Sequence, residues 1–352
     1  MIIGASFSGL AVAACLSRAK VDYVLIEKGD GVGAPWRHHY DRLHLHTNKR
    51  LSGLPYFPWP ASAPRYPSRL EVIAYLEEYA RAFAIRPSFH TEALSVRRIS
   101  DEWVTETNTG NIRSRDVVMA TGIFGRPKVV ALPGQESFPG RVVHSFGYKT
   151  GAAFTGQRVL VLGFGNSAGE IAIDLVEQGA SVSMAVRSAV NVIPKEILGV
   201  PVVELSLLLR WLPPRVADAI AWPLVRGVVG DITRLGLRRK PYGPIEQIVR
   251  EGKAPVLDIG VVRLIREGAV RVFPGVERIE GSMVCFADGR SAEFDAIVAA
   301  VGYERSDAEI LEAGREGDGG LHFCGFWISP TGQIREIARD ARKIASAIRK
   351  QK

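Results

Sequence analysis

One run of residues constrains this chain more than any other: RVLVLGFGNSAGE, Arg158 to Glu170. Four apolar residues lead into glycines at 163, 165 and 169. A buried parallel strand needs such an apolar run, and the glycines carry the chain over into a helix. Gly163 permits the tight turn, Gly165 lets backbone approach a diphosphate, and Gly169 allows close packing of helix on strand. Free N–H groups at the positive helix end, opened by Asn166 and Ser167, then meet the diphosphate. Ile171, Ile173, Leu175 and Val176 give the helix its apolar face. Strand, glycine loop and helix in this order predict a dinucleotide-binding unit of an α/β fold.

A second such unit opens the chain. Met1 to Gly9, MIIGASFSG, ends a strand in a loop carrying Gly4, Ser6, Ser8 and Gly9. Ser6 stands where the fingerprint has glycine and crowds the diphosphate approach. The strand before it is short, as it would be if the chain began upstream of Met1. Leu10 to Arg18 continues as helix, and VDYVLIE, Val21 to Glu27, reads as the next strand. Glu27 closes that strand about twenty residues past the loop, where a carboxylate accepts ribose hydroxyls. A carboxylate there repels a 2′-phosphate, so the first site should take a dinucleotide without one, with FAD the natural candidate. The strand after the second loop, SVSMAVR, ends instead in Arg187. A guanidinium pairs a 2′-phosphate bidentately, which favours NADPH over NADH.

Composition narrows the class. The chain has 352 residues, 47% hydrophobic and 23% charged, enough for two domains with a buried core. Its formal charge of +8 comes from scattered arginines, and no nucleic-acid motif appears. An attraction for anionic cofactors and acidic substrates accounts for it more economically. Cys15, Cys285 and Cys324 are far apart and odd in number, which points to a reducing, cytoplasmic setting and against a CxxC redox centre. The N-terminus runs straight into a glycine loop, and no signal peptide is read there. Val200 to Gly230, the most apolar region, is broken by Glu204, Arg210, Pro213, Pro214, Arg215 and Asp218, so it cannot span a bilayer. Gly31 to Pro67 is loop-like and holds four of the seven histidines, yet no cysteine or carboxylate stands at metal-ligand spacing. No metal site is expected.

Just upstream of the second loop lies FPGRVVHSFGY. From residues alone it is a glycine turn, a short strand and a connector whose His144 is an ordinary satisfied histidine. Yet Phe138, Gly140, His144 and Tyr148 form F-x-G-x-x-x-H-x-x-x-Y ahead of a second glycine loop, and this resembles the identifying sequence of flavin-containing monooxygenases. Trp36 resembles the tryptophan this family places beside the flavin. VVMATG, with Ala120, Thr121 and Gly122, resembles the linker of two-dinucleotide-domain flavoproteins, and FDAIVAAVGY its second copy with Val301 replacing threonine. The runs YDRLHLHTNKRLSGLP and GKAPVLDIG resemble the plant YUCCA flavin monooxygenases of auxin biosynthesis, which convert indole-3-pyruvate to indole-3-acetate. His46 stands before Lys49 as it does in YUCCA enzymes, either at the active site or as a loop histidine. The terminal run PTGQIRE, with Gly332 and Gln333, differs from the plant loop, and the helix after it would point its positive end at the flavin.

The resemblance covers the whole chain. It implies two Rossmann-like domains, the second inserted in the first: FAD domain 1–147, NADPH domain 148–290, FAD domain resumed over 291–352. FAD binding falls to Gly4, Ser6, Ser8, Gly9, Glu27, Trp36, Ala120, Thr121, Gly122, Gly332 and Gln333. NADPH binding falls to Gly163, Gly165, Asn166, Ser167, Gly169 and Arg187, and His46 and Asn166 are the catalytic candidates. It further implies NADPH- and O2-dependent oxygenation through a C4a-(hydro)peroxyflavin, with a 2-oxo acid such as indole-3-pyruvate as the substrate. The rival readings are an oxygenase of soft nitrogen or sulfur nucleophiles, an NADPH oxidase, and a binding module without turnover. A flavin absorbance spectrum separates the last from the rest. Val200 to Gly243 reads as proline-interrupted helix, either a cavity wall or core. The oligomeric state is left open.

Overall fold

The computed structural model describes residues 1–305, 310–312 and 318–350. Two compact units account for the chain. The first comprises Met1–His38, Thr47–Arg126 and Tyr303–Lys352, and the second His39–His46 and Pro127–Gly302.

The first unit is built on a four-stranded parallel sheet in the order Leu25–Ile26, Ile2–Ile3, Val117–Met119, Leu321–Phe323. Ile3, Ile26, Val117, Met119, Leu321 and Phe323 pack with Trp103 and Phe326 in one core. The helices Phe7–Arg18 and Gln333–Lys350 belong to this unit and pack on each other. The last one buries Ile334, Ile337, Ala341 and Ile344, the stripe that its 3.6-residue period demands. A third helix, Arg69–Ala82, starts at the expected capping box, in which Ser68 accepts from Glu71 N and the Glu71 carboxylate accepts from Ser68 N at 2.7 Å. The antiparallel sheet Ala93–Ile99, Glu102–Thr107, Gly110–Ser114 turns at Asn108–Gly110 as the sequence indicates.

The second unit repeats the plan. Its five-stranded parallel sheet runs Val270–Phe273, Ser181–Ala185, Arg158–Leu162, Ala296–Ala299, Arg141–His144. Again a three-stranded antiparallel sheet follows, Val276–Glu280, Met283–Phe286, Ser291–Glu293. Phe138, Leu160, Phe273, Phe286 and Phe294 share its core, with Phe273 and Phe286 stacked at 4.1 Å. Both units are thus Rossmann-like α/β structures, as expected. The unit edges fall elsewhere than residues 148 and 290, for a structural reason. Strands Arg141–His144 and Ala296–Ala299 are hydrogen-bonded into the second sheet, and residues 39–46 join the same unit.

The Val200–Gly243 region is helical, in the segments Val202–Leu209, Pro214–Val229 and Ile232–Leu235. It is core only in part. Ala217, Asp218, Val225 and Val229 of the long helix are buried, while Val216, Ile220, Leu224 and Val228 face solvent. No described helix is long and apolar enough to cross a membrane.

Candidate functional site

In each unit the glycine loop leaves the carboxyl end of a central strand, where open α/β sheets bind ligands. In the first unit Gly4 has φ +102°, and a Cβ on it would lie 2.9 Å from the Ala120 carbonyl oxygen of the next strand's end. Gly9 is tighter still, because a Cβ there would fall 1.8 Å from the Gly4 carbonyl oxygen. Both glycines are therefore dictated by backbone contact. Glu27 is buried at the end of the neighbouring strand, and its carboxylate accepts from Ala5 N at 2.7 Å and Gly29 N at 2.9 Å. A carboxylate has about four lone-pair sites, so two bonds to the loop leave capacity for ribose hydroxyls.

The second loop repeats the geometry with different tolerances. Gly163 has φ +106°, and a Cβ on it would lie 2.6 Å from the Ala300 carbonyl oxygen. Gly165 has no atom within 4 Å of such a Cβ. Gly169, expected to allow close helix–strand packing, does not occupy that place. Its N–H bonds the Gly165 carbonyl, as Leu10 N bonds Ser6 O in the first loop. The counterpart of Gly9 is therefore Ala168, fully buried, and a Cβ on Gly169 would make only an ordinary 3.4 Å contact with Val261. The third fingerprint position is alanine here.

Both loop helices, Phe7–Arg18 and Asn166–Glu177, begin without a side-chain cap and without an acid in the first turn. Ser6, a residue type that commonly caps, makes no capping hydrogen bond, whereas the Arg69–Ala82 helix is fully capped. Uncapped N–H groups at a helix end suit a bound anion. A further observation fits a nucleotide cofactor in the first unit. Thr121 Oγ1 and Gln333 Oε1 are buried without a hydrogen-bond partner among the described residues. Buried polar atoms are rarely left so, and a polar ligand would satisfy them. Gln333 also donates to the Gly325 carbonyl at 3.0 Å, Gly332 has φ +100°, and nothing lies within 4 Å of a Cβ on Gly122. Ser8 is buried under Gly325, and Trp36 meets Phe7 edge-to-face at 6.0 Å.

In the second unit Arg187 is exposed, with no hydrogen bond or ion pair to its guanidinium among the described residues. The Arg238 guanidinium donates to its backbone carbonyl, which adds a second cation at this strand end. Asn166 accepts from Leu257 N at 2.7 Å, so its carbonyl oxygen ties the loop to the strand Val256–Asp258. Ser167 is half-buried beside it. His46 is placed by this unit too. Its Nε2 lies 2.5 Å from Glu170 Oε1, a carboxylate 3% exposed on the inner face of the loop helix. Sequence reasoning missed Glu170, although an acid interrupting the apolar face of Ala168, Ile171 and Leu175 was the available signal. Burial pushes the neighbouring Lys195 ammonium below its usual range, while the charges of Glu170 and Glu196 pull it back.

The fingerprint residues turn out to be architectural in what they touch. Phe138 is core, and a Cβ on Gly140 would strike the Asp295 carbonyl at 2.2 Å. His144 Nδ1 accepts from Phe146 N at 3.0 Å, which places the proton on Nε2, 3.2 Å from the Gly302 carbonyl. Burial lowers its pKa, and the Gly302 bond opposes the shift. Tyr148 is buried and donates to Asp174 at 2.6 Å, and the same carboxylate oxygen accepts from Gly151 N at 2.7 Å. Burial first, then that carboxylate, raises the tyrosine pKa.

Two uncapped nucleotide loops on two Rossmann-like sheets define a two-dinucleotide oxidoreductase of the flavoprotein type. Residues 1–196 match the family described as pyridine nucleotide-disulphide oxidoreductase. The indole-3-pyruvate monooxygenase YUCCA6 of Arabidopsis thaliana is 38% identical over 99% of this chain and 90% of its own. The indole-3-pyruvate monooxygenase YUCCA1 of Oryza sativa is 37% identical over 93% of this chain and 83% of its own. Among solved structures, a flavin-containing monooxygenase from Stenotrophomonas maltophilia superposes with TM-score 0.72 at 21% identity, covering 99% of this chain and 98% of that one. An NADP-bound steroid monooxygenase reaches 0.79 at 19% identity, covering 99% and 84%. The chain belongs to the pyridine nucleotide-disulphide oxidoreductase family and, within its flavin monooxygenases, to the YUCCA-type group. Cys15, Cys285 and Cys324 include no C-x-x-C pair, the arrangement that the disulphide chemistry in the broader family's name would need.

Proposed function

We propose that this chain is an FAD-containing, NADPH- and O2-dependent monooxygenase that decarboxylates a 2-oxo acid, with indole-3-pyruvate as substrate and indole-3-acetate as product. The observation that carries the two-cofactor reading is the contrast at the two strand ends. Glu27 is buried and tied to its loop, and Arg187 is exposed and free to pair a phosphate. The substrate rests on the names of the full-length relatives. When bound, FAD supplies the oxygen chemistry and NADPH the hydride.

The chain's own residues supply binding and proton control. The N–H groups of the Phe7–Arg18 helix would take one diphosphate, Glu27 the adjoining ribose, and Thr121 and Gln333 further polar atoms of FAD. Gly165 leaves room for the second diphosphate, and Arg187 would hold the 2′-phosphate of NADPH. Glu170 fixes the proton of His46 on Nε2, which leaves Nδ1 to accept a hydrogen bond when neutral or donate one to a substrate oxo or carboxylate oxygen when protonated. Three cysteines, odd in number and far apart in sequence, suit a reducing, cytoplasmic setting.

The test is product analysis by mass spectrometry with NADPH, O2 and a panel of indole-3-pyruvate, phenylpyruvate, an amine and a thioether. Indole-3-acetate formed in step with NADPH consumption is the expected result. Peroxide alone would replace the reading by an oxidase, and oxygenated amine or thioether by a soft-nucleophile oxygenase. His46→Ala should retain flavin and anaerobic reduction by NADPH while releasing more peroxide per NADPH. Unchanged coupling would remove His46 from the site.

A further inference from the structure

The helix Pro214–Val229 is apolar on the wrong side. A surface helix of a water-soluble domain turns its polar residues outward. Here Val216, Ile220, Leu224 and Val228, four residues apart, form a continuous outward stripe, about half exposed each. Leu208 and Trp211, just before this helix in sequence, are also exposed, Trp211 to 81%. The one acid between Leu205 and Gly230 is Asp218, and it points inward, where it accepts from Ile245 N and Glu246 N at 2.9 Å. The cations of the same stretch stay at the surface: Arg215 is paired with Glu246 at 2.8 Å, Arg210 lies over the Trp211 ring at 4.6 Å, and Arg226 is exposed.

We propose that this face docks on an anionic lipid surface, with the helix lying in the headgroup plane. An apolar stripe flanked by arginines and carrying a tryptophan is what an interfacial helix presents. The absence of exposed acids from Leu205 to Gly230 matches a negatively charged leaflet. A second copy of the chain fits less well. A two-fold contact sets the same patch against itself, so Arg210 and Arg226 would confront their own copies with no exposed acid between Leu205 and Gly230 to meet them. Since no described helix can cross a bilayer, the attachment is peripheral.

The test uses the full-length protein in co-sedimentation with vesicles of equimolar phosphatidylcholine and phosphatidylglycerol, against pure phosphatidylcholine. Binding to the anionic vesicles should exceed that to neutral ones by about tenfold at low salt and fall as salt is raised. Ile220→Glu/Leu224→Glu should abolish it, and Arg210→Ser/Arg226→Ser should remove the preference for anionic lipid. Melting curves and flavin content report whether the variants fold. If the glutamate pair does not fold, Ile220→Ser/Leu224→Ser carries the same expectation. Equal binding to both vesicle types, or none to either, would overturn the proposal. So would a dimer in sedimentation velocity that the same double substitution dissolves, since the face would then belong to a second copy.

Discussion

The two glycine loops share a backbone plan and differ in what they permit. In the first, Gly4 and Gly9 are walled in by carbonyl oxygens and the Glu27 carboxylate is bonded to Ala5 N and Gly29 N. In the second, the third fingerprint position already carries a methyl group at Ala168, Gly165 faces open space, and the strand-end Arg187 is free. The first loop is held at both glycines and at its strand-end acid, whereas the second is held at Gly163 and Asn166 but open at Gly165 and Arg187. Substitutions at Gly9 and Glu27 should therefore change folding and FAD retention together, whereas those at Gly165 and Arg187 should change NADPH binding alone.

The strongest break is Gly9→Ala. A methyl 1.8 Å from a backbone oxygen cannot be accommodated without moving the loop, so about 3 kcal/mol of stability and most bound flavin should be lost. A melting temperature and flavin ratio near wild type would show that the loop yields. Next come the two strand ends. Glu27→Ala strands the buried Ala5 N–H and the partly buried Gly29 N–H and should cost about 3 kcal/mol together with FAD. Arg187→Ala should leave melting unchanged and raise KM for NADPH roughly ten- to a hundredfold, with NADH little affected. Equal effects on both coenzymes would remove Arg187 from the 2′-phosphate.

A pH series sharpens the comparison from within the second unit. Burial holds the His144 pKa below its ordinary 6.5. The unfolded chain therefore takes up this proton more readily than the native one. The neutral histidine's contribution is complete above about 6.5 and is lost as pH falls through the native value. Asp295, held at about 2 by Arg158, acts only at much lower pH and does not blur the window. The urea midpoint should decline as pH falls from about 7 towards 5, and less in His144→Gln. Parallel declines would discard the assignment.

The smallest effects come from exchanging loop residues. Gly165→Ser should leave melting unchanged, because its Cβ meets no protein atom, while weakening NADPH severalfold, on the order of 1 kcal/mol. Ser6→Gly should raise the flavin-loaded fraction, and loading that stays flat or falls would mean serine suits that loop. Gly169→Ala should be neutral or stabilising by up to about 1 kcal/mol, since alanine favours helix and only Val261 is near. A loss of several kcal/mol would mean Gly169 packs more tightly than its 3.4 Å contact implies.

What could be read from the chain was local. Strand, loop and helix follow one another within a few residues, so both loops, the Ser68 capping box, the Asn108–Gly110 turn and the strand ends at Glu27 and Arg187 were legible. The register of the second fingerprint was misassigned by one residue because a glycine follows Ala168. Contacts between distant residues left no mark in the pattern. His46 and Glu170 are 124 positions apart, and although an acid on an apolar helix face marks Glu170, nothing in either neighbourhood names its partner. Unit edges escaped for the same reason, since Arg141–His144 joins its sheet through Ala296–Ala299. Hydrophobicity marked the Pro214–Val229 helix as apolar but not which face is covered.

The strand order of the first sheet has a consequence for how the molecule is made. Val117–Met119 pairs on one side with Ile2–Ile3 and on the other with Leu321–Phe323. During synthesis the second unit has all its strands once residue 302 is made, whereas the first still shows an open sheet edge. That edge waits through the making of the whole intervening unit, and the helix Gln333–Lys350, which packs on Phe7–Arg18, comes later still. Domains on a ribosome usually finish in the order they start. Here the unit that starts first closes last, and an unpaired strand edge is what aggregation uses. A nascent chain halted after residue 302 would hold every strand of the second sheet and an unfinished first one, with the Val117–Met119 edge still unpaired.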